Sequence, residues 1–588
     1  MNFTKIKLSF LLVTWLATAQ SATDPKTIDL GFAPDFIDFS PDDKYMVAEN
    51  ENQYLVWNVA SETKVLEGKY TFKIGRFINT INIPTGSGYF LFGNEEVFIT
   101  VDYERNKTTM KAFGLTDGTP LWESDQLDMG VTLAETIISA HAGGVIDMEM
   151  NAHRFDEAKI ANNFFTKDRF LDRLINYIPE KNAIALNGKN GLQLVDIRNG
   201  EIRWTQEDFK GGIGELLFDG ATDRLYAITV PATDGALDQL TTTPAVIALD
   251  ANTGELLWNV EYTGKFIPGY ASLIGTTLIL PYLELMLIDT KTGAERDGDV
   301  KGRLAAARNV TKGLGGLMAL DQAMGGSFGS TDNSNSKYNR LIPRQLHFDR
   351  DGKLYYFTMF NDKGQWGTGG KKGLLTIDIH QDKIETEKYD VLGNQWTVMQ
   401  DMMVDGVFYV KARGNLNRTI IKAIDATSGA ELFETNKAKN SADVAKAFNP
   451  FIVANDRIVD VVSQGVYVLD AKTGEEISYT TTKNMGVGTV KYSHLYSGGV
   501  LLFGTKGVGV MNLDGTVIAS APAKNVKGFT TTSDGEIWLL ESKKFIRLDA
   551  RKGETLETQA LKQADYFAFS PSGKILARCE GTDIRLYQ

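Results

Sequence analysis

The sequence predicts an all-β protein, a β-propeller of four-stranded blades, and three observations predict it. An Asp-x-x-x-Gly turn behind a short apolar run recurs along the chain. An aromatic residue stands four positions after the Gly in several copies. A second hairpin turn precedes many of the copies, which gives about four strands per repeat.

The clearest copy is Val246-Ile-Ala-Leu-Asp250-Ala-Asn-Thr-Gly254-Glu-Leu-Leu-Trp258. A run of apolar, partly β-branched residues suits a strand buried on both faces. Asp250 is placed to accept the backbone N–H groups just ahead of it, and Gly254 to take the positive φ that closes the turn. Trp258, on the returning strand, offers a broad surface to a neighbouring sheet. The same spacing recurs at Asp196/Gly200, Asp289/Gly293, Asp425/Gly429, Asp470/Gly474 and Asp549/Gly553, so these are the expected structural turns. Trp122, Trp204, Trp258 and Phe433 are the expected blade-docking aromatics. Looser copies centre on Asn58, Gly114, Asp378 and Asn512. Asp351-Gly352, Asp405-Gly406 and Asp534-Gly535 supply the preceding hairpins.

Ala248-Leu-Asp250-Ala-Asn-Thr253-Gly254-Glu-Leu-Leu-Trp258 resembles the pyrroloquinoline-quinone (PQQ)-type propeller repeat, Ala-x-Asp-x-x-Thr-Gly-x-x-x-Trp, at every defined position. The two ends differ. Phe36-Ile-Asp-Phe-Ser40-Pro-Asp-Asp-Lys-Tyr45 and Phe567-Ala-Phe-Ser570-Pro-Ser-Gly573-Lys-Ile-Leu576 resemble WD40-type blades. The final blade stops before a fourth strand, which residues 27–30 are placed to supply, leaving no open edge.

Counting repeat centres from 58 to 584 gives eleven units, whereas a single propeller typically has about 4–8 blades. Two tandem rings are therefore expected, with one large ring as the alternative. The first propeller region runs over 20–300, with an inserted segment near 130–178. Residues 301–340, rich in Gly, Ser and Asn, read as a linker or loop, and 341–588 as the second propeller region. The spans from 114 to 196 and from 289 to 378 are long enough to hold a degenerate blade or an insertion. In the first, residues 146–153 alternate apolar and polar like a half-exposed strand, and Ile160 to Ile175 carry apolar residues at helical spacing. In the second, residues 304–336 read as a packed loop or an adaptable contact surface.

Residues 1–19 read as a signal peptide: Lys5 and Lys7, an apolar stretch from Leu8 to Leu16, then Ala17-Thr-Ala19. No Cys follows the cleavage site, so no lipid anchor is expected, and no later stretch has the length of a membrane helix. A periplasmic or secreted location follows. The net charge of −12 argues against a nucleic-acid partner. The single cysteine, Cys579, has no partner for an internal disulfide and reads as a packed core thiol.

The resemblance implies one enzymatic possibility, a PQQ- and Ca²⁺-dependent dehydrogenase of alcohols or sugars. In those enzymes a disulfide between adjacent cysteines covers the quinone, and a chain with one Cys lacks it. No catalytic Asp or Ca²⁺ ligand matches residue by residue, so catalytic and cofactor-binding residues stay unassigned. Asp147, Glu149 and His153 share a strand face, but an acidic surface accounts for them without a metal. The repeat aspartates recur in blade after blade, as a turn role predicts and a single active site does not. The expected function is an exported, non-catalytic scaffold or sensor that binds another protein in the cell envelope, without a cofactor. The resemblance extends by analogy to the periplasmic propeller of the barrel-assembly machinery, which has this repeat and no quinone chemistry.

Overall fold

A computed structural model describes residues 26–71, 88–127, 175–230, 245–261, 271–298, 347–357, 372–435 and 451–587, apart from gaps of up to five residues inside these spans. The described residues form eleven antiparallel sheets. Blade 1 spans 36–69, blade 2 spans 89–124, blade 3 spans 175–206, blade 4 spans 212–261 and blade 5 spans 272–289. Blade 6 spans 347–392, blade 7 spans 397–435, blade 8 spans 451–481, blade 9 spans 490–521 and blade 10 spans 526–560. Blade 11 takes 566–587 together with Lys26–Asp29. Within each blade the strands follow in chain order as a meander; blade 5 has three among the described residues.

The middle strands are the most buried, as in Ala245–Asp250, and the fourth strands the most exposed, as in Leu256–Glu261. Each blade buries its two faces against its neighbours in sequence. Apolar clusters join blades 1, 2 and 3, then 3 to 4, 4 to 5, 5 to 6 and 6 to 7. Others join 7 to 8, 8 to 9, 9 to 10, 10 to 11 and 11 back to 1. That cyclic order closes a single ring of eleven blades, and it corrects the expectation of two tandem rings. In a tandem pair the chain would turn back within each half, and blade 5 would not seal against blade 6 as it does through Ile279, Leu287, Leu354 and Ile377. Blades 2 and 3 are likewise in direct contact.

The ring joins where the first described strand meets the last. Lys26–Asp29 pairs antiparallel with Asp583–Tyr587, Thr27 opposite Arg585. Ile28 and Leu30 are buried there with Ile37, Cys579 and Ile584. The two blades at this joint share a turn chemistry. The Ser40 hydroxyl accepts the Tyr45 N–H at 3.0 Å, and the Ser570 hydroxyl accepts the Ile575 N–H at 3.2 Å. Each turn passes through positive φ, 60° at Asp43 and 73° at Gly573. Cys579 is fully buried, and its thiol points to the Gly581 carbonyl at 3.3 Å.

Nine outer strands carry a β-bulge at one shared position, the residue just before the docking aromatic or its counterpart. A bulge twists an edge strand out of register and blunts its pairing with other chains.

Candidate functional site

The residues singled out by the sequence gather at the seams between blades. At the turn of blade 4, Asp250 Oδ1 accepts the N–H groups of Asn252 and Thr253, each at 2.9 Å. The Gly254 N–H donates to the Asp250 carbonyl at 2.8 Å, and Gly254 takes φ 73°. Burial pushes the Asp250 carboxyl up, and the Thr253 and Asn252 hydrogen bonds outweigh it, so the group ends below its usual range. Asp196, Asp289, Asp470 and Asp549 each accept two N–H groups from the residues two and three ahead. Asp425 accepts the N–H and hydroxyl of Ser428, both at 2.7 Å. Backbone donation from Thr473 and Lys472 holds the Asp470 carboxyl below its usual range.

Gly200, Gly293, Gly429 and Gly474 share the left-handed conformation of Gly254. Gly553 lies outside the described residues, as do Asp351-Gly352, Asp147, Glu149, His153 and residues 304–336. Asp405 and Gly406 turn through φ 48° and 77°.

The aromatic of one blade lies on the glycine of the next. A Cβ on Gly200 would stand 2.5 Å from the Trp122 ring, one on Gly254 2.6 Å from Trp204, and one on Gly293 2.6 Å from Trp258. On Gly474 it would stand 2.4 Å from Phe433. A second contact fixes each tryptophan. The indole N–H donates to the carbonyl of the residue after the turn Asp: Trp122 to Ile197 at 2.9 Å, Trp204 to Ala251 at 2.9 Å, Trp258 to Thr290 at 3.0 Å.

That carbonyl is used where no tryptophan exists. Tyr409 donates to Ala471 at 3.0 Å, Thr376 to Ala426 at 2.8 Å and Arg296 to Ile379 at 2.6 Å. Tyr409 and Thr376 come from the second and third strands of their blades, Arg296 follows the turn of blade 5, and none carries a repeat signature. Beside Gly429 the aliphatic stem of Lys388 takes the place of the ring. Between blades 5 and 6, Gly298 stands against Asp382, and its N–H donates to Asp382 Oδ2 at 2.7 Å.

Two further features escaped the pattern. Lys411 of blade 7 pairs with Asp460 of blade 8 at 2.5 Å, with side chains only 7% and 6% exposed. The signal was a charge inside each buried run, Val-Phe-Tyr-Val-Lys411 and Arg-Ile-Val-Asp460. Tyr226, fully buried in the seam of blades 4 and 5, has no hydrogen-bond partner for its hydroxyl among the described residues. It stands at the ladder position of Tyr409, two residues before the turn Asp on the paired strand. The carbonyl at that place, Thr290, already accepts Trp258 and, at 2.6 Å, Arg224, which fills its two lone pairs.

The seams thus hold turn carboxylates bonded to their own backbone and aromatics bonded to the next blade, an arrangement suited to rigidity. Among the described residues no group of three or more His, Cys, Asp or Glu converges to hold a metal ion, and no helix is long and apolar enough to cross a membrane.

Residues 188–270, the second half of blade 3 and all of blade 4, match the family model PQQ_2, described as "Outer membrane protein assembly factor BamB". No curated protein matches the chain. Among solved structures, the computationally designed Ika8 protein is 12% identical, with 66% of this chain and 98% of that one covered at a TM-score of 0.30. The Dos1 propeller is 13% identical, covering 64% and 93% at 0.32. A eukaryotic initiation factor is 11% identical, covering 69% and 81% at 0.33. The chain is a β-propeller repeat protein that matches the PQQ-type repeat over residues 188–270, with WD40-like blades at the joint of the ring.

Proposed function

We propose that the chain is an exported, non-catalytic propeller that binds another protein as a scaffold or sensor in the cell envelope. One observation carries the reading: the repeat residues are engaged in holding blade to blade. Asp250 and its counterparts bond their own turns, and Trp122, Trp204 and Trp258 are committed to the next blade. What the ring offers a ligand is therefore its loops and outer edge. The match over 188–270 to a family described as an outer membrane assembly factor supports an envelope role. Residues 1–19 would be the leader that takes it there, and residues 301–340 a loop or linker on the mature protein.

The competing reading is a quinone- and Ca²⁺-dependent dehydrogenase. The sole cysteine lies buried between blades 11 and 1, so no adjacent-cysteine cover exists for a quinone. Calorimetric titration of the mature protein with PQQ in the presence of Ca²⁺ separates the two. The scaffold reading expects no saturable heat, and binding near one quinone per chain would overturn it.

A further inference from the structure

The outer strand of blade 11 differs from the other described outer strands in three respects. No hairpin ties Lys26–Asp29 to its own blade; it is joined to blade 1 through residues 30–35. It has four residues, where the others have five to ten. Its ladder on Asp583–Tyr587 runs from Lys26–Leu586 to Asp29–Asp583 without a bulge, where the nine others are bulged.

The contacts that hold this strand follow one pattern. Lys26, Ile28 and Leu30 share the face turned to blade 1. Ile28 and Leu30 are buried against Ile37, Ile584 and Leu586. The Lys26 ammonium bonds the Glu62 carboxylate and lies 5.5 Å from the centre of a Trp57 ring. The Leu30 N–H donates to the Thr582 carbonyl at 2.9 Å. Thr27 and Asp29, on the other face, are exposed. The edge of Asp583–Tyr587 therefore selects a segment of the form Lys-x-aliphatic-x-aliphatic, holding its backbone by the ladder and its alternate side chains in sockets.

Two buried side chains and no hairpin make this strand cheap to release. Its release leaves an unbulged edge, the kind that accepts an added strand. The strand also stops short of filling that edge. Its last pair is Lys26 with Leu586, and the residue before Lys26 is Pro25, which has no N–H to carry the ladder on to Tyr587.

We propose that Asp583–Tyr587 is an acceptor edge for an extended segment of a partner protein, and that Lys26–Asp29 covers it in the free ring as a displaceable strap. The partner segment carries aliphatic residues at alternate positions and a Lys two before the first. Without a proline ahead of that Lys it extends the ladder to Tyr587, which offsets the advantage of the tethered strap. The proposal rests on the protein-binding reading above and names the edge and the chemistry of the segment bound.

The test uses the full mature protein and a fluorescent peptide with the sequence of residues 24–32 and the change Pro25→Val. A control peptide carries Ile28→Asp in addition. Fluorescence anisotropy is expected to show saturable binding of the first peptide and none of the control. A protein variant with a weakened strap, Ile28→Thr, should bind the peptide about tenfold more tightly than the wild type, and its melting curve checks that it folds. Hydrogen exchange on the wild type needs no variant. With peptide bound, the amides of 26–30 should lose protection while those of 583–587 keep theirs. No binding to the wild type or the variant, equal binding of the control peptide, equal affinity of a folded strap variant, or a strap still protected in the complex each overturns the proposal. The protein-binding reading itself is judged separately, by the quinone titration.

Discussion

In the seams from blade 2 to blade 5 one residue type does the joining. Trp122, Trp204 and Trp258 each cover a glycine with the ring face and bond a carbonyl with the ring nitrogen. In the seams from blade 6 to blade 8 the two tasks are divided. Lys388 and Phe433 cover the glycines, while Thr376 and Tyr409, on other strands, bond the carbonyls. The glycine turn and the carbonyl after its Asp are common to both arcs, and the donor changes. The invariant part of the seam is thus a backbone fixture, and any side chain of suitable reach completes it.

The strongest way to break this comparison is to remove a residue that performs both tasks. Trp204→Ala deletes a buried ring and its bond to Ala251, for an expected cost of about 3–5 kcal/mol. Lys388→Ala removes only an exposed stem and should cost under about 1 kcal/mol. Urea unfolding of the two variants checks the difference, and equal midpoints would end the idea that the arcs are joined differently.

A second test concerns the charge pair found in the divided arc. Lys411→Met leaves Asp460 buried without its cation and should cost about 3–5 kcal/mol. Adding Asp460→Leu should restore most of that loss, because an apolar pair of similar volume suits a dry seam. If thermal melting shows no recovery in the double variant, the pair contributes more than mutual neutralisation.

The finest distinction uses one residue type at one ladder position. Tyr409→Phe strands the Ala471 carbonyl and should cost about 1 kcal/mol. Tyr226→Phe removes a hydroxyl without a partner among the described residues and should be neutral or stabilising by up to about 1 kcal/mol. Differential scanning calorimetry resolves the signs, and a loss of stability in Tyr226→Phe would show that its hydroxyl is in use.

What the sequence made legible follows the same division. The turns at Asp250/Gly254 and their counterparts recur at fixed spacing because each is a local device, complete within a few residues. Trp204 was legible because one residue performs both tasks at one place in the repeat. Tyr409, Thr376 and Arg296 were not, since a backbone carbonyl accepts from any donor and imposes no residue type. Ring number was illegible for a related reason. The eleven repeat centres are the same in one ring or two, and only the contact of blade 5 with blade 6 and of blade 11 with blade 1 decides. The exposure of Leu432, Ile477 and Leu556 at their bulges was hidden too, because an apolar residue in an outer strand reads as ordinary alternation until its exposure is known.

The joint between Lys26–Asp29 and Asp583–Tyr587 has a consequence for how the molecule is made. Of the described strands, the first to leave the ribosome pairs with the last. At roughly 5–20 residues per second the chain between them takes on the order of half a minute to two minutes to synthesise. Throughout that time blades 1 to 10 can form in order while Lys26–Asp29 waits for the other three strands of blade 11, and the leading segment stays open to proteases and to other chains. The ring therefore closes only after Asp583–Tyr587 has been made, since a chain cut short before it has no strand to receive Lys26–Asp29.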